Sequence, residues 1–96
     1  MTSLELIDSV LILKGDYKVE VNIKRDELFI YSLDTMPFFI VRLKDYSYVK
    51  HVGNEYVDCK ALESLINYYS LTPIKERGLD ELEHWINQGG KRGKNY

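Results

Sequence analysis

Tyr17-Lys18-Val19-Glu20-Val21-Asn22-Ile23-Lys24 places an apolar side chain at every odd position and a polar one at every even position. Successive side chains of an extended chain point to opposite faces, so strict alternation over eight residues predicts a strand with one face in the core and one in water. On its N-terminal side, residues 6–13 are rich in apolar and β-branched side chains and stop at Gly15-Asp16, a pair suited to a tight turn. These features predict a first hairpin. The competing expectation is a helix over residues 3–13, because Leu4, Ile7 and Leu11 also keep helical spacing.

On its C-terminal side, the polar corner Arg25-Asp26-Glu27 leads into residues 28–33, and Asp34-Thr35-Met36-Pro37 separates these from residues 38–43. Both apolar runs read as strands. Pro37 has no N–H to donate to a ladder and belongs in the connection or at a strand's first position. A further strand over residues 46–52 closes at Gly53-Asn54. The expected sheet has about five strands, and the short connections make it antiparallel.

The hydrophobic period then changes. From Asp58 onward, Cys59, Leu62, Leu65, Ile66 and Tyr69 fall on one helical face, with Asp58 the expected N-cap. Thr72-Pro73 reads as a second cap and first position, opening a short turn that Gly78 ends. Asp80 and Glu83 have capping-box spacing before Leu82, Trp85 and Ile86, in a last helix that stops at Gly89-Gly90. The fold class is therefore α+β: an antiparallel sheet in the N-terminal two-thirds, packed by two C-terminal helices. Residues 1–88 are expected to form one domain and residues 89–96 a flexible basic tail.

Composition bounds function. Apolar residues make up 45% of the 96 and charged residues 29%, the balance of an ordinary globular chain. Residues 1–88 carry ten Lys/Arg against all fifteen Asp/Glu, a balance of −5, whereas Lys91, Arg92 and Lys94 make the end basic. An acidic body repels phosphate backbones at long range. The lone Cys59 has no disulfide partner within the chain, no signal-peptide pattern opens it, and no apolar run approaches the roughly 20 residues of a membrane span. These point to a cytoplasmic location without a membrane partner.

No catalytic or cofactor set stands out. His51, His84 and Cys59 are scattered singly, too few and too far apart for a zinc site and without a nucleophile motif. Cys59 sits on the expected helix's apolar stripe, where cysteine behaves as a small hydrophobe. No phosphate-binding glycine loop or calcium loop is present, and Asp80, Glu81 and Glu83 suit a solvated helix start. No catalytic, cofactor or metal residue is therefore assigned.

Two patterns point to partners. Eight tyrosines exceed what so small a core can hold, and tyrosine offers large contact area at low rotamer cost, which makes Tyr46, Tyr48, Tyr56 and Tyr68 candidate protein contacts. If alternation keeps its phase past Asp45, then Arg42, Lys44, Tyr46, Tyr48 and Lys50 share a sheet face able to stack bases and neutralise phosphates, with Lys91, Arg92 and Lys94 assisting. A turn at Lys44-Asp45 would break that phase.

Phe39-Ile40-Val41-Arg42 resembles the phosphate-binding strand of SH2 domains, and Ala61-Leu62-Glu63-Ser64-Leu65-Ile66-Asn67-Tyr68-Tyr69 resembles their second helix, which would make Arg42 a phosphotyrosine ligand. Only 18 residues separate Arg42 from Ala61, too few for the strands of that family, and the resemblance is set aside. The favoured expectation is a non-enzymatic protein-interaction module, an adaptor or stoichiometric inhibitor of the kind phage and mobile elements use against host machinery, anti-CRISPR proteins included. The alternatives are a single-stranded nucleic-acid binder on the Tyr/Lys/Arg face and a small homodimeric regulator.

Overall fold

A computed structural model describes residues 1–13, 17–31, 37–51 and 60–89. Among the described residues the chain runs α1 (Ser3–Leu11), β1 (Lys18–Asn22), β2 (Glu27–Tyr31), β3 (Pro37–Arg42), β4 (Val49–His51), α2 (Lys60–Ser70) and α3 (Leu79–Asn87). The four strands form one antiparallel sheet in sequential order, β1-β2-β3-β4. The class is α+β as expected, with four strands and three helices among the described residues in place of five and two.

The difference lies at the N-terminus. Residues 3–11 are helical rather than the first strand of a hairpin, because the side chains that can be buried together are Ser3, Leu6, Ile7 and Val10, the spacing of one helical face. The adjacent polar pair Asp8-Ser9 interrupts any period-2 pattern. Thr2 and Glu5 complete the helix start as a capping box: the Glu5 N–H donates to Thr2 Oγ1 at 3.2 Å, and the Thr2 N–H donates to Glu5 Oε1 at 2.8 Å. Each satisfies an amide that the first turn leaves without a backbone partner. The cost shows at the C-terminal end, where Ile12 is 83% exposed.

The central strands follow the sequence. Val19 pairs with Ile30 and Val21 with Leu28, so the alternation of β1 puts Lys18 and Glu20 in solvent. Leu28, Ile30, Phe39 and Val41 are buried beneath the helices with Leu6, Ile7, Val10, Leu62, Ile66, Tyr69 and Leu82. The helices thus cover one face, with α1 packed on α2, α3 and β1, and α2 on β3 and β4. Pro37 takes the first position of β3, where no ladder donor is needed. The 3-10 turn Ile23–Arg25 and Asp26, in the left-handed region at φ 52°, join β1 to β2.

Three local expectations change. The strand expected over residues 46–52 starts only at Val49, because residues 43–47 bend and turn and Ser47 takes φ 60°; residue 52 lies outside the described residues. Pro73, not Thr72, is the cap residue of the 3-10 turn Ile74–Glu76, and the Thr72 hydroxyl donates instead to the Tyr68 carbonyl at 3.2 Å. Helix α3 starts from Gly78 with no side-chain cap, so Asp80 and Glu83 form no capping box; the carboxylates of Asp80 and Glu81 lie in its first turn. Gly78 does end the preceding turn, at φ 64°, a conformation that costs other residues about 1–2 kcal/mol. The expected cap Asp58, Cys59 and the basic end Lys91, Arg92 and Lys94 lie outside the described residues.

Candidate functional site

The segment Leu71-Thr72-Pro73-Ile74-Lys75-Glu76-Arg77-Gly78 follows α2, whose last four carbonyls have no partners within the helix. Every one of them is satisfied from outside. Asn67 accepts from the Leu71 N–H and the Ser70 hydroxyl, Tyr68 from the Thr72 hydroxyl, and Tyr69 from the Thr72 N–H at 2.9 Å. Ser70 accepts from the Ser47 N–H at 2.7 Å and from Arg77 Nη2 at 2.9 Å.

Arg77 is the centre of this arrangement. Its side chain is fully buried, and its guanidinium donates to four carbonyls, each at 2.9 Å: Thr72 from Nε, Arg42 and Leu43 from Nη1, and Ser70 from Nη2. None of the four acceptors is a carboxylate. The charge is stabilised by the negative end of the α2 dipole and by the Tyr69 ring, whose centroid lies 4.8 Å from the guanidinium carbon. Tyr69 in turn shares a 2.6 Å hydrogen bond with the buried Ser3 hydroxyl, and the Ser3 N–H donates to the Arg77 carbonyl at 2.6 Å. Burial pushes the Tyr69 phenol up, while the bond to Ser3 and the Arg77 charge pull it back. Among the described residues no buried side-chain nitrogen or oxygen lacks a partner.

This node joins the end of β3, the β3–β4 turn and the end of α2 by hydrogen bonds. On its outside stand three large apolar side chains in water: Tyr46 at 58%, Tyr68 at 64% and Leu71 at 53% exposure. Tyr68 and Leu71 are three residues apart and therefore neighbours on the outer surface of the α2 end. Tyr46 precedes Ser47, whose amide is bonded to Ser70 at that same end. The sheet's turn and the helix end thus present their exposed side chains on one corner of the molecule.

The other candidates distribute differently. Tyr48 is half-buried beneath Arg42, whose guanidinium carbon lies 4.2 Å from the ring centroid. Arg42 also contacts Asp45 at 3.1 Å and Glu27 at 4.0 Å, and its bond to Asp45 holds its pKa above the usual arginine value. Lys44 lies 3.4 Å from Asp26. The pairing of Ile40 with Lys50 and of Val41 with Val49 keeps Arg42 and Lys50 on the sheet's outer face, whereas Lys44 and Tyr46 sit in the bend and turn beyond the strand. The shallow hollow of about 380 Å³ here is lined by Arg25, Arg42 and Lys44 together with Asp26, Glu27 and Asp45, so its cations and anions are equal in number. Tyr56 lies outside the described residues. His84 is exposed on α3, and no group of three His, Cys, Asp or Glu able to hold a metal occurs among the described residues.

Sequence reading marked Tyr46 and Tyr68 but not Leu71, Arg77 or Ser3. Arg77 sits in Lys75-Glu76-Arg77-Gly78, a run that reads as solvated surface, and no local pattern reports that four carbonyls converge on it. The fold is an α+β chain with a helix-covered antiparallel sheet and exposed apolar side chains at Tyr46, Tyr68 and Leu71. Compared with protein-family models, curated proteins and solved structures, the chain matches none. No described helix is long and apolar enough to cross a membrane.

Proposed function

We propose that this chain is a non-enzymatic protein-contact module, an adaptor or stoichiometric inhibitor, that engages its partner through the corner formed by Tyr46, Tyr68 and Leu71. The observation that supports it is the combination of three exposed large apolar side chains with a backbone beneath them locked by the buried Arg77. Anchors held rigid before binding lose little entropy on association, and aromatic anchors of this kind dominate interface energies. A blocker of host machinery, as encoded by phage or mobile elements, is one form such an inhibitor takes, acting in the cytoplasm by steric cover.

Single-stranded nucleic acid is the less supported reading. It asks for cations available to phosphates, and Arg42 and Lys44 are engaged with Asp45, Glu27 and Asp26. The test is retention of partners from a nuclease-treated lysate by the full chain and by the Tyr46→Ser/Tyr68→Ser variant, with thermal unfolding of both. A stoichiometric partner lost by a variant of unchanged melting temperature supports the corner. Retention of the same partner at equal affinity defeats it, and a retained species that disappears with nuclease treatment favours nucleic acid instead.

A further inference from the structure

Helices α1 and α3 pack side by side, and between them lies a hollow of about 410 Å³ with Leu4 and Trp85, both half-buried, among its lining. The rest of the lining is exposed and polar: Asp80, Glu81, His84 and Gln88. Neither helix contains a lysine or an arginine. The acidic charge at this hollow therefore comes from Asp80 and Glu81 on α3, while α1 contributes the apolar Leu4 to its lining. Its geometry is held from below, since Thr2, the cap of α1, lies against Gly78, the cap of α3, with the Ser3 N–H bonded to the Arg77 carbonyl.

We propose that this hollow docks a basic segment of a partner protein, one that places an apolar anchor on Leu4 and Trp85 and flanks it with lysines or arginines facing Asp80 and Glu81. The occupant follows from charge complementarity: an apolar hollow with an acidic rim selects cationic flanks by attraction and rejects acidic ones by repulsion. An anionic ligand meets the wrong sign at Asp80 and Glu81. The inference rests on the reading of the chain as a contact module but uses a surface separate from the Tyr46, Tyr68 and Leu71 corner.

Trp85 is the only tryptophan in the chain, so its emission reports directly on the hollow. The probe is a short peptide of lysines and arginines around two leucines, free of tryptophan and tyrosine, titrated into the full chain. The control peptide carries glutamates at the same positions. The expected result is a saturable shift of Trp85 emission with the basic peptide alone, weakening as salt is raised. Asp80→Asn/Glu81→Gln, which removes charge from exposed positions, is expected to weaken binding about three- to tenfold. Tyr46→Ser/Tyr68→Ser leaves it unchanged, which separates failure of this inference from failure of the corner. Equal response to both peptides, no saturable shift, or indifference to salt and to Asp80→Asn/Glu81→Gln overturns the proposal. So does tighter peptide binding by Lys91→Ser/Arg92→Ser/Lys94→Ser, which would make the chain's own basic end the occupant.

Discussion

Arg77 and Arg42 each stack a guanidinium on a tyrosine ring, yet they serve opposite ends of the energetic scale. Arg42 lies at the surface with two carboxylates nearby, at 3.1 and 4.0 Å. Arg77 is fully buried with four carbonyls and no carboxylate among its hydrogen-bond acceptors. Conventional counting of ion pairs would rank Arg42 as the more stabilising. Water reverses the order, because it screens the pairs of Arg42 and replaces them readily, whereas Arg77 makes its bonds to the Thr72, Leu43 and Ser70 carbonyls in buried surroundings, where a lost donor is not replaced by solvent. What a charged side chain contributes here depends on what would be left unsatisfied without it.

The largest expected effect follows from that contrast. Arg77→Met keeps bulk but takes the guanidinium donors from the Thr72, Arg42 and Leu43 carbonyls and leaves the Ser70 carbonyl only the Ser47 N–H; each buried group left unpaired costs about 1–3 kcal/mol. A domain of this size has a total of about 5–15 kcal/mol, so the variant should be close to unfolding in urea titration. Arg77→Lys sharpens the point: it restores the charge but not the planar fork, and should still lose more than about 2 kcal/mol. Near-native stability of the lysine variant would show that charge alone, not geometry, holds the node.

At the surface, Arg42→Ala should cost no more than about 1 kcal/mol in the same titration, and the difference from the unaltered chain should shrink as salt is raised. A loss comparable with that of Arg77→Met would erase the distinction between the two arginines.

The smallest effect belongs to the α1 cap. The Glu5 carboxylate accepts from the Thr2 N–H, which holds its pKa below the ordinary value of 4.5. A carboxyl with a depressed folded-state pKa stabilises the fold above its unfolded pKa, and that contribution disappears as the pH falls through the folded value. Glu5→Gln keeps a capping oxygen without the charge. Its stability deficit should be greatest near neutrality and vanish in acid, as followed by chemical denaturation across pH. A deficit that persists unchanged in acid would assign it to side-chain geometry instead.

Periodicity made much of the fold legible. Val19 and Val21 against Lys18 and Glu20 announce β1, and Leu62, Ile66 and Tyr69 announce the buried side of α2, because each pattern is written in consecutive residues and needs only the geometry of one element. The run that ended wrongly was residues 6–13. Its apolar density suits strand and helix alike, and the helix prevailed because Leu6, Ile7 and Val10 meet α2, α3 and the sheet together. The capping box Thr2 and Glu5 was the local signal that could have settled it.

Sequence by itself determined the α+β class, the inner sides of the central strands and α2, and an acidic body without a recognisable catalytic motif. Only the tertiary structure decided that Arg77, from a run that reads as surface, is fully buried, and that the turn bearing Tyr46 meets the helix end bearing Tyr68 and Leu71. The reason is range. A pleat or a helical stripe is set by neighbours two to four residues apart, whereas the carbonyls of Arg42, Leu43, Ser70 and Thr72 converge on one guanidinium only after the β3–β4 turn has docked against the end of α2.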